Sequence, residues 1–339
     1  MGRDRALSLI QPTGKGQLHI GNYFGAIRNW VKLQEHYDCI FGAVDYHAIT
    51  VDFDPKTLPR QSMDIITDLI ACGIDPQRST VMIQSHVPEH TELCWIFNCV
   101  AAYGDVQRMT QFKDKAEEQA YVTVGLFDYP VLQAADILIY KAKAVPVGQD
   151  QDQHLELTRG IAQKFNTRFG EVFPIPYTGA KLRHMHDLRG AKIVSPADPE
   201  KKMSKSLGDK HCIFVMEEEK AIRKKIRSAV TDMGPADVSG DKSPGVANLF
   251  HLLELTAPPS VVDEFESAYR AETLKYVELK DAVFEHLMEE LRPVRERKRE
   301  LESDPETIRT IIREGSEKAR QMARETLSEV RKLLGVGPI

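Results

Sequence analysis

Over the first 147 residues, short apolar runs, unbroken at Cys39–Val44, alternate with segments of helical period. Ala6–Ile10, Cys39–Val44, Thr80–Gln84 and Ala144–Val147 read as buried strands. An unbroken run, as opposed to an alternating one, marks a strand covered on both faces, which is the habit of parallel sheets. Between them lie predicted helices. One runs from about Asn22 to His36, with Ile27, Trp30, Val31 and Gln34 at helical spacing. A second runs from Leu58 to Cys72 and stops at Gly73, as helices often do. Glu89–Tyr103 follows, and then Gly125–Tyr140 with Pro130 placed in its first turn. Such alternation predicts an α/β fold built on a doubly wound parallel sheet. Ligands in these sheets sit outside the carboxyl ends of the strands. Gln11–Asn22, Asp45-Tyr46-His47 and the region after Gln84 occupy such ends.

A further helix is predicted over Gly148–Phe165, after which Phe173-Pro174-Ile175-Pro176 breaks the pattern. Beyond Ser206 the chain turns helical and charged: Glu217–Val230, Gly245–Leu255, Pro259–Tyr269, Thr273–Leu301 and Pro305–Leu334. A sheet domain over 1–195 and a smaller helical domain over 196–339 follow from that change. The 339 residues suffice for two domains with a substantial core. No apolar run reaches the ~20 residues that span a bilayer, and Met1-Gly2-Arg3-Asp4-Arg5 does not read as a secretory signal. Cys39, Cys72, Cys94, Cys99 and Cys212 form no C-x-x-C pair, so neither zinc nor a disulfide framework is expected and a reducing cytoplasm fits. With a net charge of −5, nucleic-acid binding would need a local basic patch. Arg292, Arg295, Arg297, Lys298 and Arg299 are a candidate, read either as RNA contacts or as a solvated face offset by nearby Glu residues.

Lys201-Lys202-Met203-Ser204-Lys205-Ser206 places three lysines beside two hydroxyls. Pro196 and Pro199 before it and Gly208 after it predict a loop. Lysines on a mobile loop suit a polyanion whose charge changes during reaction, such as a triphosphate; a solvated basic loop is the alternative. Pro12–Asn22 brings glycines, His19 and Asn22 to a strand-to-helix turn without P-loop spacing. Backbone N–H groups and the helix dipole at Gly21-Asn22 favour an anion there. The polar run Gly148–His154 either converges on a ligand or caps a helix through Asp150 or Asp152. Tyr129, Gln133 and Asp136 share one face of an otherwise apolar helix, where a carboxylate is costly unless it meets a donor.

Taken together, Gln11-Pro12-Thr13-Gly14, His19-Ile20-Gly21-Asn22-Tyr23, Val44–Thr50, Met109–Lys113, Tyr129–Asp136, Val145–Gln151 and Lys202–Ser206 resemble, in order and over essentially the whole chain, the bacterial tryptophanyl-tRNA synthetase family of class I aminoacyl-tRNA synthetases. Pro244–Leu249 is similar to that family as well. The HIGH signature ends in Asn22 and the KMSKS signature is complete. The resemblance implies a Rossmann-like catalytic domain and a second domain that binds the tRNA anticodon. It implies ATP binding by Gln11, Pro12, Thr13, Gly21, Asn22, Gly148, Gln149, Asp150, Ile193, Lys202, Met203, Ser204, Lys205 and Ser206. Tryptophan binding is implied for Asp136, Tyr129, Gln133, Gln151, Val145 and His47, and catalytic roles for Lys202, Lys205, Lys113 and His19. Gln133 stands where many relatives carry Met. The implied substrates are ATP with Mg²⁺, L-tryptophan and tRNA(Trp), with no metal held by the protein itself. A cytoplasmic homodimer is implied, and the apolar stripe Leu93, Ile96, Phe97, Val100 is read either as its interface or as core. The rival readings are a tyrosyl-tRNA synthetase, a synthetase-like RNA- or protein-binding paralogue without catalysis, and a nucleotidyltransferase.

Overall fold

The structure, a computed structural model, describes residues 2–12, 18–110, 121–148, 151–186, 191–231 and 242–337. Its chain forms two compact units. The first comprises Met1–Gly16, Asn29–Arg189 and Asp304–Ile339; the second comprises Gln17–Arg28 and Gly190–Ser303. The linear division at 195/196 therefore differs from the grouping in three places: the first unit contains the last helix, the second contains a short segment from near the N-terminus, and the second resumes at Gly190.

The first unit is built on three parallel strands, β1 (Arg5–Ile10), β2 (Asp38–Ala43) and β3 (Thr80–Ile83), in the order β1-β2-β3. Leu7 pairs with Ile40, and Gly42 with Met82. On the other side of β1, the expected strand at Ala144–Val147 is reduced to one parallel bridge, Ala6 to Ala144. Leu7 N–H donates to Ala144 O at 3.0 Å and Ala144 N–H to Arg5 O at 3.1 Å. Pro146 has no N–H to continue the ladder. Its carbonyl accepts instead from Trp30 Nε1 at 3.3 Å and from the Ser8 hydroxyl at 3.2 Å.

The helix Val124–Leu138 starts earlier than its apolar pattern suggests, because Thr123 Oγ1 caps Leu126 N–H at 3.0 Å. Pro130 lies inside the helix, in its second turn and not in its first. The helix expected over Glu89–Tyr103 ends at Asn98, and a separate one spans Tyr103–Gln107. Leu93 and Phe97 are fully buried and Ile96 is buried. They pack in the unit's own core with Phe165 and Phe173, so the stripe is core and not an interface between copies.

The helix Pro305–Leu334 has its start and stop written locally. Asp304 caps it, Pro305 occupies its first turn, and Gly335 ends it at φ 66° in the left-handed region. Ile308, Ile312, Ser316, Ala319, Ala323, Leu327 and Val330 bury one face. That face covers β3, the edge strand, where Ser316 Oγ accepts from Ile83 N–H at 3.4 Å. Glu89 joins Arg320 and Arg324 at 2.9 and 3.0 Å, and Glu92 joins Arg331 at 2.6 Å. Close approach needs Gly315: a Cβ there would overlap the Val81 carbonyl. Gly315→Val is expected to cost about 1–3 kcal/mol of stability by forcing the helix off the strand, read as a lower urea midpoint. An unchanged midpoint would contradict the tight contact.

Among its described residues, the second unit carries short backbone ladders and four main helices. Leu18–Ile20 pairs with Ile213–Val215, and Ile193–Ser195 with Lys201–Met203. The helices Glu219–Arg227, Pro244–Thr256, Pro259–Arg270 and Tyr276–Ser303 complete it. Arg295 and Lys298, both in the expected basic patch, are buried. The Arg295 guanidinium donates to Val215 O at 2.9 Å and Glu217 O at 2.7 Å, so its role is to hold this helix to the 215–217 segment. Arg292, Arg297 and Arg299 remain exposed.

Candidate active site

Two clusters of chemistry-bearing residues stand out, one in each unit. In the second unit, His19 precedes the helical residues Ile20–Asn22, which run on into a π-helical turn over Tyr23–Ile27. Such turns recur at functional sites. Asn22 N–H donates to His19 Nδ1, and His19 N–H donates to Asn22 Oδ1, both at 3.3 Å. This reciprocal cap accounts for Asn at the last position of the motif. Gly21 is needed for the same reason: a Cβ there would lie 2.9 Å from the His19 ring. With Nδ1 accepting, the proton of the neutral ring sits on Nε2, and Nε2–H can donate to an anion.

Burial lowers the His19 pKa to about 4, with Lys205 and then Lys202 adding positive charge that acts in the same direction. His19 is therefore neutral at pH 7. Its folded pKa lies below the ordinary value of 6.5, so its contribution to stability is intact above pH 6.5. That contribution is lost as pH falls from 6.5 toward 4. The expected result is a decline in unfolding free energy across that window, weaker in His19→Gln. Denaturant titrations at a series of pH values give the measurement, and parallel curves for both proteins would refute it.

The lysine stretch is half anchored. Met203 N–H donates to Ile193 O at 3.0 Å and Ser195 N–H to Lys201 O at 2.8 Å, which makes a hairpin. Ser195 Oγ closes its turn by accepting from Ala197 and Asp198 N–H, each at 3.1 Å. The Met203 and Ile193 side chains are buried, while Lys202 is exposed and Ser204 and Lys205 are half-buried. The short 3-10 turn Lys205–Leu207 ends at Gly208, φ 100°.

In the first unit, Asp136 is 2% exposed, and both of its carboxylate oxygens are engaged. Oδ2 lies 2.8 Å from His47 Nε2. Oδ1 lies 2.7 Å from Gln84 Nε2 and 2.6 Å from His90 Nδ1. Burial alone would raise its pKa. The hydrogen bonds from His47 and His90, and then the electrostatic attraction of those two side chains, outweigh burial and hold the carboxyl well below the usual range. Asp136 is therefore an anion at neutral pH. Gln84 is itself fixed, because Tyr46 N–H donates to its Oε1 at 3.1 Å.

The structure places the sequence-predicted residues as follows. Tyr129 is buried beside Asp136 on the same helix, with its hydroxyl 2.9 Å from His154 Nε2 and its ring 6.2 Å from that of His47. Gln133 and Gln151 are half-buried and Val145 is buried. Gln11 and Pro12 follow β1, and Gln11 Nε2 donates to His47 O at 3.1 Å. Gly148 is exposed at the end of the segment that Ala144 opens. Gln151, and not Asp152, is the N-cap of the helix Asp152–Phe169; Asp152 pairs instead with the Arg183 guanidinium at 2.7 and 3.1 Å. Thr13, Lys113, Gln149 and Asp150 lie outside the described residues, as does the side chain of Ser206. Sequence reasoning missed Gln84, His90 and Tyr140. The only signal for Gln84 was its position at the carboxyl end of β3.

A family model described as class I tRNA synthetases (W and Y) matches residues 2–292. A curated protein of Streptomyces avermitilis, Tryptophan--tRNA ligase 2, is 45% identical over 99% of this chain and 98% of its own length. The Tryptophan--tRNA ligase of Helicobacter pylori strain 26695 is 42% identical over 99% of this chain and 100% of its own. Among solved structures, tryptophanyl-tRNA synthetase from Campylobacter jejuni complexed with ADP and tryptophan aligns with TM-score 0.83 and 34% identity. That alignment covers 98% of this chain and all of the other.

Proposed function

The chain belongs to the class I tRNA synthetases (W and Y), and from that premise we infer its reaction: it is a tRNA ligase for tryptophan. It activates L-tryptophan with ATP to tryptophanyl-adenylate and transfers the acyl group to the 3′ end of tRNA(Trp). In the first step the tryptophan carboxylate attacks the α-phosphorus of ATP, taken as its Mg²⁺ complex, and pyrophosphate leaves. In the second, the 2′-OH of the terminal ribose takes the acyl group. The first step asks for little proton transfer, so catalysis is positioning and charge stabilisation. A neutral His19 beside two lysines supports that reading, since all three groups donate to phosphate oxygen and none is a base paired with a nucleophile.

For the first unit we propose that Asp136 accepts the indole N–H, with Tyr129, Gln133, Gln151, Val145 and His47 forming the rest of the tryptophan site. Gln11, Pro12 and Gly148 are proposed to contact ATP. For the second unit, His19, Gly21, Asn22, Ile193 and Lys202–Ser206 are proposed to contact ATP, and Lys202, Lys205 and His19 to bear on the leaving pyrophosphate. Thr13, Gln149, Asp150 and Lys113 keep the roles that the resemblance implies. The single observation that carries the substrate assignment is the buried, ionised Asp136: indole is a donor only, and its match must be an acceptor. Amino-acid-dependent ATP–pyrophosphate exchange across all twenty amino acids tests it, with exchange expected on tryptophan. Exchange driven by tyrosine instead would overturn it.

The exposed Arg292, Arg297 and Arg299 are proposed to meet tRNA phosphates. A homodimer is proposed as well. Its contact cannot be the buried Leu93 stripe, so it is assigned to the exposed Trp95, Tyr103, Tyr121 and Val124. Trp95→Asp is expected to shift sedimentation toward the monomer, and a wild type that is monomeric at micromolar concentration would dispose of the claim. Among the described residues, no helix is long and apolar enough to cross a membrane. A cytoplasmic location is proposed, consistent with five free cysteines.

A further inference from the structure

We infer that His90 is a positioning residue for tryptophan selection, acting through Asp136 Oδ1, with Gln84 as its companion on that oxygen and Tyr140 as its support. The inference rests on the reading of Asp136 as the indole acceptor and goes beyond it.

A carboxylate offers about four lone-pair sites, two on each oxygen. Oδ1 is filled: Gln84 Nε2 lies at 2.7 Å and His90 Nδ1 at 2.6 Å. Among the described residues Oδ2 has one protein partner, His47 Nε2 at 2.8 Å, so the remaining site belongs to Oδ2. The direction of that site follows from how the carboxylate plane is held. Two donors on Oδ1, arriving from the end of β3 and from the first turn of the helix Glu89–Asn98, fix that plane.

His90 is itself held from behind. Its Nε2 lies 2.6 Å from Tyr140 Oη, and that hydroxyl lies 3.3 Å from Met82 Sδ. The carboxylate can only accept, so Nδ1 donates. Nε2 pairs with the Tyr140 hydroxyl, so hydroxyl, imidazole and carboxylate are linked in one hydrogen-bonded chain that ends on the carboxylate as acceptor. His90, Gln84 and Tyr140 are all fully buried. No water competes for these bonds, and losing one leaves a polar atom unpaired. His90 does not touch the substrate. It selects by keeping Oδ2 aimed, and its loss should be felt by a substrate that donates to Oδ2 and not by one that cannot.

The test measures kcat/KM in pyrophosphate exchange for tryptophan and for the isostere whose ring N–H is replaced by sulfur. It uses wild type, His90→Leu, His90→Asn, Tyr140→Phe and Asp136→Ala. His90→Leu is expected to shrink the preference for tryptophan by about 10-fold or more, through the KM for tryptophan, with the KM for ATP unchanged. His90→Asn places an amide N–H near the lost Nδ1–H and is expected to restore most of the preference. Equal loss on both substrates in His90→Leu, or no loss, would overturn the inference. Should His90→Leu fail to fold, Tyr140→Phe decides: a smaller shift in the same direction supports the inference, and an unchanged preference overturns it. Asp136→Ala separates the two levels. If it leaves the preference intact, the reading of Asp136 falls. If it abolishes the preference while His90→Leu and Tyr140→Phe do not change it, only the role of His90 falls.

Discussion

Asp136→Ala is expected to lower kcat/KM for tryptophan by about 10⁴-fold while leaving the KM for ATP close to its wild-type value. Sites built to pair with a substrate donor reject a substrate lacking it by roughly 10⁴–10⁵-fold, because the site's own group is left unpaired. In Asp136→Ala the loss is compounded. His47, Gln84 and His90 all point donors at the carboxylate, and three buried donors lose their acceptor at once. Asp136→Asn separates charge from shape, since it keeps one acceptor oxygen, and a smaller loss is expected. No pH dependence near neutrality should come from Asp136. Its folded pKa is depressed, so the stability it contributes is present above the ordinary carboxylate value of 3.8 and disappears only as pH falls below it. Exchange assays with tryptophan and its sulfur isostere give the readout. Equal discrimination by wild type and Asp136→Ala would show that another group reads the indole.

The second large effect belongs to the lysines. Lys202→Ala and Lys205→Ala are expected to reduce the rate of adenylate formation by about 10²–10³-fold each, the usual cost of one strong donor to developing charge. The KM for tryptophan should barely move, because the role proposed for these residues is to meet charge that grows only as pyrophosphate leaves. A second, independent signature exists. After burial, Lys205 is the next largest cause holding the His19 pKa near 4, followed by Lys202. Lys205→Ala should therefore raise that pKa toward 6.5 in the free protein, visible as a shifted imidazole titration by NMR. An effect confined to the KM for tryptophan, or a His19 titration that does not move, would sink this account of the loop.

Some of this protein was decided locally. Short apolar runs announced β1, β2 and β3, and the runs of β2 and β3 reflect the burial of those strands along almost their whole length. The face Tyr129–Asp136 followed from helical spacing, and the lysine loop from its prolines and Gly208. Asp304, Pro305 and Gly335 bound the last helix by their own chemistry. What periodicity could not say is what each apolar face meets. The Leu93, Ile96, Phe97 stripe is equally apolar whether it faces a core or a second copy, and only its packing on Phe165 and Phe173 decided for the core. The last helix reads as part of a helical second half, yet its buried face and Gly315 put it on β3. Arg295 and Lys298 look like surface charge until their burial shows otherwise. Above all, the partners of Asp136 could not be read from the chain. His47, Gln84 and His90 come from three elements, 89, 52 and 46 residues away in sequence. A buried carboxylate has to find donors somewhere, and that much the sequence determined by itself. Which donors it finds depends on how the strand ends and helix starts converge, and only the tertiary structure decides that.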